Sequence, residues 1–134
     1  MKFYNINNTL ETVSFRQAVL RGAGSDNGLY FPQEIRKKNK EFFNKMDGYS
    51  FAELAAEVLY DFVEDDFTRQ DLTDICTRAF NFPIPLIQVK EHIHSLELFH
   101  GPSLAFKDIG ARFLAEVLKK IAEKQNEEIT VLVA

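Results

Sequence analysis

Lys107 is the residue of this 134-residue chain whose type and position point most directly to chemistry. When residues 104–123 are projected on a helix of about 3.6 residues per turn, Lys107 falls on the apolar side, between Leu114 and Leu118. A charged amine on an apolar face is costly unless it is neutralised, paired or used in a covalent bond. The placement makes Lys107 a candidate nucleophile, because a neutral lysine amine attacks carbonyl carbon.

The surroundings of Lys107 allow two interpretations. Gly110 and Ala111 follow it by three and four residues on the same face, and their small size leaves room for a flat group above the amine. A lysine in the first turn of a helix can instead extend its amine into solvent past the helix end, which requires no chemistry. Geometry by itself favours the second interpretation.

The helix predicted over residues 104–125 has two distinct faces. The polar face is expected in solvent and contains Asp108, Arg112, Glu116, Lys119 and Glu123. The apolar face is expected in the core and contains Phe113, Leu114, Val117, Leu118 and Ile121. We therefore interpret Asp108 as a charge that suits the helix N-terminus rather than as a ligand contact.

The loop before this helix supplies further candidates. A Gly-Pro pair predicts a tight turn, and Ser103 after it is expected to cap the helix N-terminus through its hydroxyl. The same hydroxyl and nearby backbone N–H groups could instead meet a carboxylate or phosphate of a substrate, with His100 either assisting or merely packing. Phe106 either contacts a flat ring or packs in the core.

The motif LELFHGPSLAFKD, residues 96–108, resembles the lysine motif of threonine synthases. The resemblance extends in order along nearly the whole chain, through residues 1–5, Val13-Ser14-Phe15, Gln17-Ala18-Val19 and Gly28-Leu29-Tyr30-Phe31-Pro32. Two positions depart from the family pattern. Ser103 stands where the family usually has threonine, and Ile109 stands where it often has phenylalanine. The first departure keeps the hydroxyl and the second keeps an apolar side chain.

This resemblance implies a cofactor, a reaction and site residues. Lys107 would be the catalytic residue that holds pyridoxal 5'-phosphate as an internal aldimine, with Phe106 as a second cofactor contact. The substrate would be O-phosphohomoserine, which reacts with water to give threonine and phosphate, and His100 and Ser103 would be substrate-binding candidates. Two alternatives stay open: a related phospho-lyase acting on another phosphorylated amino acid, and a helical interaction module without chemistry.

Composition restricts the partners and the location of the protein. Sixteen basic and twenty acidic residues give a net charge of −4, without the basic tract that nucleic-acid binding requires. Neither a membrane span nor the apolar core of a signal peptide is visible. A single cysteine, Cys76, excludes an internal disulfide and is expected in the core. We expect a cytoplasmic protein with no nucleic-acid or membrane partner.

A metal site is not expected either. His92 and His94 would share one face of a strand, but a third ligand of matching geometry is not apparent near them. The segment of residues 91–95 is predicted to form a hairpin turn instead.

The chain is predicted to have an α/β fold with two parts. Residues 1–88 form a mostly helical N-terminal domain, with capping boxes at Ser14, Ser50 and Thr68. Residues 89–134 form the opening of a cofactor domain, which the resemblance identifies as the start of a fold-type II pyridoxal-phosphate domain. We predict a strand at residues 86–89, and a right-handed βαβ unit from a strand at 96–99, the long helix and a strand at 129–134.

The last six residues, ITVLVA, are apolar and β-branched, which is typical of a strand buried on both faces. Because the chain stops there, we expect a truncated sheet that the remainder of a longer chain would complete. By itself the 134-residue chain is expected to be inactive, since the lysine comes without a phosphate cradle. Its unpaired strand is expected to mediate dimerisation.

Overall fold

The structure, a computed structural model, describes residues 1–131. Its strands are β1 (Lys2–Asn5), β2 (Thr12–Ser14), β3 (Tyr30–Pro32), β4 (Leu86–Lys90) and β5 (Ile93–Leu96). Its α-helices are α1 (Phe15–Arg21), α2 (Lys40–Lys45), α3 (Phe51–Val63), α4 (Arg69–Ala79) and α5 (Asp108–Gln125), and a 3-10 turn covers Met46–Gly48. The mixed α/β class and the mostly helical N-terminal part are confirmed.

Strands β1, β2 and β3 form a small antiparallel sheet in the order β2-β1-β3. Phe3 of β1 pairs with Val13 on one side and Pro32 on the other, and both Phe3 and Val13 are buried. The ring of Phe3 lies 5.8 Å from the ring of Phe15 in α1. Because alternate residues of β1 point inward, Phe3 packs the N-terminal strand against α1.

The glycine-rich loop at residues 21–28 closes around a buried asparagine. Asn5 is fully buried, and its Nδ2 donates hydrogen bonds to Glu11 at 2.8 Å and Asp26 at 2.7 Å. A Cβ at Gly24 or Gly28 would lie 2.2 Å or 1.8 Å from the Asn5 side chain, so only glycine fits there. These contacts give the loop a structural role, because they seal Asn5 and its carboxylate partners beneath it.

The starts of α1, α3 and α4 were well predicted from local sequence. The three capping boxes are formed as expected, by Ser14 with Gln17, Ser50 with Glu53, and Thr68 with Asp71. Gly22 ends α1 with a φ of +73°, a conformation that favours glycine. In each capping box, side-chain oxygens accept hydrogen bonds from backbone N–H groups that the first helical turn leaves free.

The core lies among α3, α4 and α5. The fully buried side chains of these helices include Val63, Leu72, Ile75, Cys76, Val117 and Ile121. Burial of Cys76 agrees with its expected place in the core. Because α5 belongs to this cluster, the helix that follows Lys107 is anchored on the N-terminal helices rather than held only by its own loop.

Strands β4 and β5 form a separate antiparallel hairpin. The strand predicted at 86–89 is confirmed, but the strand predicted at 96–99 is wrong, because the second strand is Ile93–Leu96. The expected turn over 91–95 is shorter for the same reason: His92 adopts a φ of +60° and reverses the chain within about two residues. His94 lies within β5, and His92 lies in the turn.

The predicted βαβ unit is only partly covered by the described residues. Helix α5 is present, and Asn126 ends it in the left-handed conformation. Residues 129–131 are not assigned to a strand; Ile129 packs against the core and Val131 is exposed. The rest of the predicted strand, 132–134, lies outside the described residues, so the unit and the domain boundary at 88/89 stay predictions.

Candidate functional site

Lys107 lies immediately before α5 rather than inside its first turn. It occupies the N-cap position, with φ −62° and ψ −18°, and its carbonyl oxygen accepts a hydrogen bond from the Ala111 N–H at 2.9 Å. Its side chain is exposed within residues 1–131. This exposure agrees with the interpretation in which the amine extends into solvent past the helix end. Helix α5 begins at Asp108, later than the start predicted at residue 104.

The face of α5 next to Lys107 is apolar but open. Leu114, expected in the core, is 45% exposed, and a Cβ added at Gly110 would meet nothing within 4 Å. Phe106 is 73% exposed, so the core-packing interpretation of this ring does not hold within residues 1–131. Phe106 and Lys107 are thus consecutive residues with exposed side chains, and the surface around Gly110 is open.

Asp108 is buried, although it was predicted on a solvated face. Its side chain accepts two hydrogen bonds from Ser103, one from the backbone N–H at 2.8 Å and one from the hydroxyl at 2.7 Å. These hydrogen bonds lower the pKa of the Asp108 carboxyl below its ordinary value. The predicted N-cap role of Ser103 is wrong, because its hydroxyl is bound to Asp108 and α5 starts five residues later.

His100 lies on the same loop and has its own partners. Its Nε2 is 2.7 Å from the Glu97 carboxylate, and its ring stacks on Phe99 with the centroids 4.7 Å apart. The side chain is about one-third exposed. Lys107, Phe106, His100 and Ser103 are therefore all carried by one short segment that begins after β5 and ends at α5.

The polar side of α5 was expected in solvent, but its side chains bind both ends of α4. The Arg112 guanidinium donates to the carbonyl oxygens of Ala79 at 2.8 Å and Arg78 at 2.9 Å, and to the Asn81 side chain at 2.8 Å. Lys120 and Lys124 both form ion pairs with Asp71. Helical periodicity could not reveal these contacts, because it shows that a face is polar but not that a neighbouring helix end supplies partners.

The structure also bears on the reactivity of Cys76 and on metal binding. Burial raises the pKa of the Cys76 thiol to about 11, which leaves it a poor nucleophile at neutral pH. Among residues 1–131, three or more His, Cys, Asp or Glu side chains are nowhere grouped so that they could hold a metal ion.

None of the described helices is both long enough and apolar enough to cross a membrane.

Comparison with known proteins decides the family. A profile described as the threonine synthase N terminus matches residues 2–80, more than half of the chain. The chain belongs to the threonine synthase family. The resemblance carried by the lysine motif and the N-terminal segments is thereby confirmed.

Individual threonine synthases match beyond the profile. Those of Escherichia coli K12 and Haemophilus influenzae are 39% and 40% identical to the chain over 134 residues. These alignments cover the whole chain, including the Lys107 segment, but 31% of each relative. The chain thus spans about one-third of the length of the curated relatives it matches.

Two solved structures of threonine synthases share the fold. The Escherichia coli enzyme superposes with a TM-score of 0.87 at 40% identity, covering 91% of this chain and 28% of that one. The Brucella melitensis enzyme, solved with pyridoxal phosphate bound, gives a TM-score of 0.88 at 32% identity, covering 96% and 29%. Similarity at this level supports the described arrangement of the helices and sheets.

Proposed function

We propose that this chain is the N-terminal part of an enzyme that converts O-phospho-L-homoserine and water into L-threonine and phosphate. The observation that carries the proposal is Lys107, exposed immediately before α5 in a chain that aligns throughout with threonine synthases. The substrate is a small molecule, and the remainder of a longer chain would complete its binding site. We place the enzyme in the cytoplasm.

The cofactor we propose is pyridoxal 5'-phosphate, bound covalently to the Lys107 amine. One of the related structures contains this cofactor, and an exposed primary amine at Lys107 has the chemistry to bind its aldehyde. Phe106 is our candidate for a contact with the ring, because its side chain is exposed and it precedes Lys107 directly in the sequence. When bound, the cofactor supplies an electron sink for carbon acids.

The chain's own groups then have distinct tasks. The Lys107 amine binds the cofactor and, once released from it, moves protons at the α and β carbons of the substrate. His100 and Ser103 are candidates to bind the substrate's anionic groups, since both lie on the loop that enters α5 and a helix N-terminus attracts anions. Ser103 donates both its N–H and its hydroxyl proton to Asp108, so its hydroxyl would bind an anionic group only by turning its proton away from Asp108.

Borohydride trapping tests the role of Lys107. The complete protein that contains this chain is mixed with pyridoxal phosphate, reduced, digested and mapped by mass spectrometry. We expect the phosphopyridoxyl label on Lys107, and we expect Lys107→Ala to abolish both the label and phosphate release from O-phosphohomoserine. The Lys107→Ala protein should remain folded, because the substitution removes an exposed side chain without opening a core cavity.

Lys119→Ala is the matched control. Lys119 is also exposed and lies on the same helix, so its loss should leave the label and the turnover unchanged. A label on another lysine, with Lys107 unmodified, would contradict the proposed function. Turnover by the Lys107→Ala protein at the wild-type rate would contradict it as well.

A further inference from the structure

We propose that Asp108 is a positioning residue for Lys107: its buried carboxylate binds Ser103 and holds residues 101–107 in one closed loop. The inference rests on the proposed function of Lys107 and goes beyond it. Lys107 supplies the amine, whereas Asp108 determines where on the surface the lysine side chain leaves the backbone.

The first observation is the burial of an acid that has no need to be buried. Asp108 is 8% exposed, although it follows directly after the exposed Lys107. An acid that only complements the dipole of a helix N-terminus works equally well in solvent. Both carboxylate oxygens of Asp108 are instead turned back to Ser103, one to its N–H and one to its hydroxyl. The Asp108 side chain therefore holds residues 103–107 as a closed loop at the start of α5.

The second observation is the close approach of Gly101. A Cβ at this position would lie 2.5 Å from Oδ2 of Asp108 and 2.8 Å from its Cβ, which no real side chain could occupy. Gly101 is itself buried. The loop thus packs directly against the carboxylate at its beginning, in addition to the hydrogen bonds made by Ser103.

The third observation is the conformation of the loop backbone. Leu104 has a φ of +55°, an uncommon value for a residue other than glycine or asparagine. Its N–H donates to the Gly101 carbonyl at 3.0 Å, and the Asp108 N–H donates to the Ala105 carbonyl at 3.1 Å. Such a conformation persists only where surrounding contacts enforce it, and it is common next to functional groups. The Asp108 carboxylate holds both Ser103, which precedes Leu104, and the backbone at Gly101, to whose carbonyl Leu104 donates.

Glu53 offers a matched comparison within the same chain. Its carboxylate accepts from the Ser50 N–H at 2.8 Å and from the Ser50 hydroxyl at 2.7 Å, the same pair of donors that Asp108 uses on Ser103. Glu53 lies at the start of α3, a different helix. Replacing it removes equivalent hydrogen bonds without touching the Lys107 loop.

The test uses the complete protein with Asp108→Ala, Asp108→Asn and Glu53→Ala. Hydrogen exchange of residues 101–107 is measured without cofactor, and borohydride labelling, kcat and KM are measured with it. In Asp108→Ala we expect roughly tenfold faster exchange of this segment and slower labelling of Lys107. We also expect a kcat that is lower by about 10- to 100-fold with KM changed much less, as is typical of a misplaced reacting group.

Asp108→Asn should retain much of the exchange protection, Lys107 labelling and kcat that Asp108→Ala loses. Its amide oxygen can accept from the Ser103 N–H, and its NH₂ group can donate to the Ser103 hydroxyl oxygen. Glu53→Ala should leave exchange of residues 101–107 and labelling at Lys107 as in the wild type. Because asparagine keeps the size of the side chain, this variant also tests the proposal if the alanine protein does not fold.

The outcomes separate the two proposals. Unchanged exchange and labelling in Asp108→Ala would overturn the positioning role while Lys107 kept its proposed function. Equal losses in Glu53→Ala and Asp108→Ala would also overturn it, because a general loss of stability would then explain both. A wild-type protein that carries no label on Lys107 would overturn the proposed function itself.

Discussion

Arg112 shows at the scale of a single residue how a charged side chain can join two parts of the chain. Its guanidinium donates to two carbonyl oxygens at the end of α4 and to Asn81, and it lies 5.8 Å from the centre of the Phe82 ring. The last carbonyls of a helix lack intrahelical partners, so Arg112 acts as a C-terminal cap supplied by another helix. One turn before it, the same helix begins at Asp108.

We expect Arg112→Lys to be destabilising although it keeps the charge. An ammonium group cannot reproduce the planar set of donors that binds two carbonyls and an amide oxygen together. The free energy of unfolding should fall by about 2 kcal/mol, since hydrogen bonds from a charged donor are lost, one of them at the part-buried Ala79 carbonyl. Denaturant unfolding of the variant measures this loss.

Arg69→Lys serves as the control for that substitution. Arg69 pairs with Glu57 through a side chain that is 60% exposed, and exposed pairs contribute at most about 1 kcal/mol. A loss in Arg112→Lys no larger than in Arg69→Lys would show that the three hydrogen bonds do not hold α4 and α5 together.

The sequence singled out Lys107 and Phe106 as candidates from their motif and neighbours, and their roles in the site stay predictions. Both side chains are exposed, which agrees with a Lys107 amine that extends into solvent and not with core packing of Phe106. A helical projection shows which residues share a face, and it cannot show whether this chain covers that face. The burial of Asp108 escaped prediction because it depends on Gly101 folding back from seven residues earlier.

At the scale of elements, α4 and α5 are joined by a shared carboxylate. Asp71 accepts from Lys120 at 2.9 Å and from Lys124 at 2.7 Å, while it also accepts from the Thr68 N–H in the capping box of α4. Burial acts to raise the pKa of Asp71, but the hydrogen bonds from Lys124, Lys120 and Thr68 outweigh it and hold the pKa well below its ordinary value of 3.8.

This shift predicts a pH-dependent stability. Because the folded-state pKa of Asp71 lies below the unfolded value, its contribution is complete above the unfolded pKa and is lost as the pH falls through the folded pKa. We expect Asp71→Asn to lower the free energy of unfolding by roughly 1–3 kcal/mol at neutral pH. The difference from wild type should shrink as the pH is lowered below about 4.

Asp74→Asn is a suitable control, because Asp74 lies on the same helix and accepts from Gln70 rather than from α5. Denaturant titrations at several pH values compare the two variants. A loss in Asp71→Asn that stays constant down to strongly acidic pH would contradict the proposed ion pairs with Lys120 and Lys124.

Local signals predicted elements well wherever the determining contacts are close in sequence. The capping boxes at Ser14, Ser50 and Thr68 each involve residues three apart, and all three are formed. The strand expected at 96–99 was misplaced because apolar residues in a loop resemble apolar residues in a strand. Only the pairing of Leu86 with Leu96 locates the true end of β5.

At the scale of the whole molecule, the hairpin formed by β4 and β5 exposes several large apolar side chains. All five residues of β4 are exposed, and Leu86, Val89 and Leu96 are 64%, 66% and 57% exposed. A two-stranded hairpin is marginally stable by itself, and free strand edges tend to pair with other strands. Burying each of these side chains in a partner would contribute about 1.5–3 kcal/mol.

We therefore expect the 134-residue chain by itself to form dimers or larger species through this hairpin. The double variant Leu86→Lys with Val89→Lys should shift it toward monomer, because two charges on β4 oppose strand pairing. Light scattering after size-exclusion chromatography measures the change. Leu10→Lys is the control, since Leu10 is 91% exposed in the turn between β1 and β2 and lies outside any strand. A wild-type chain that stays monomeric at high concentration would show that the exposed hairpin needs no partner. An equal effect of Leu10→Lys would show that general surface charge, not the hairpin, controls association.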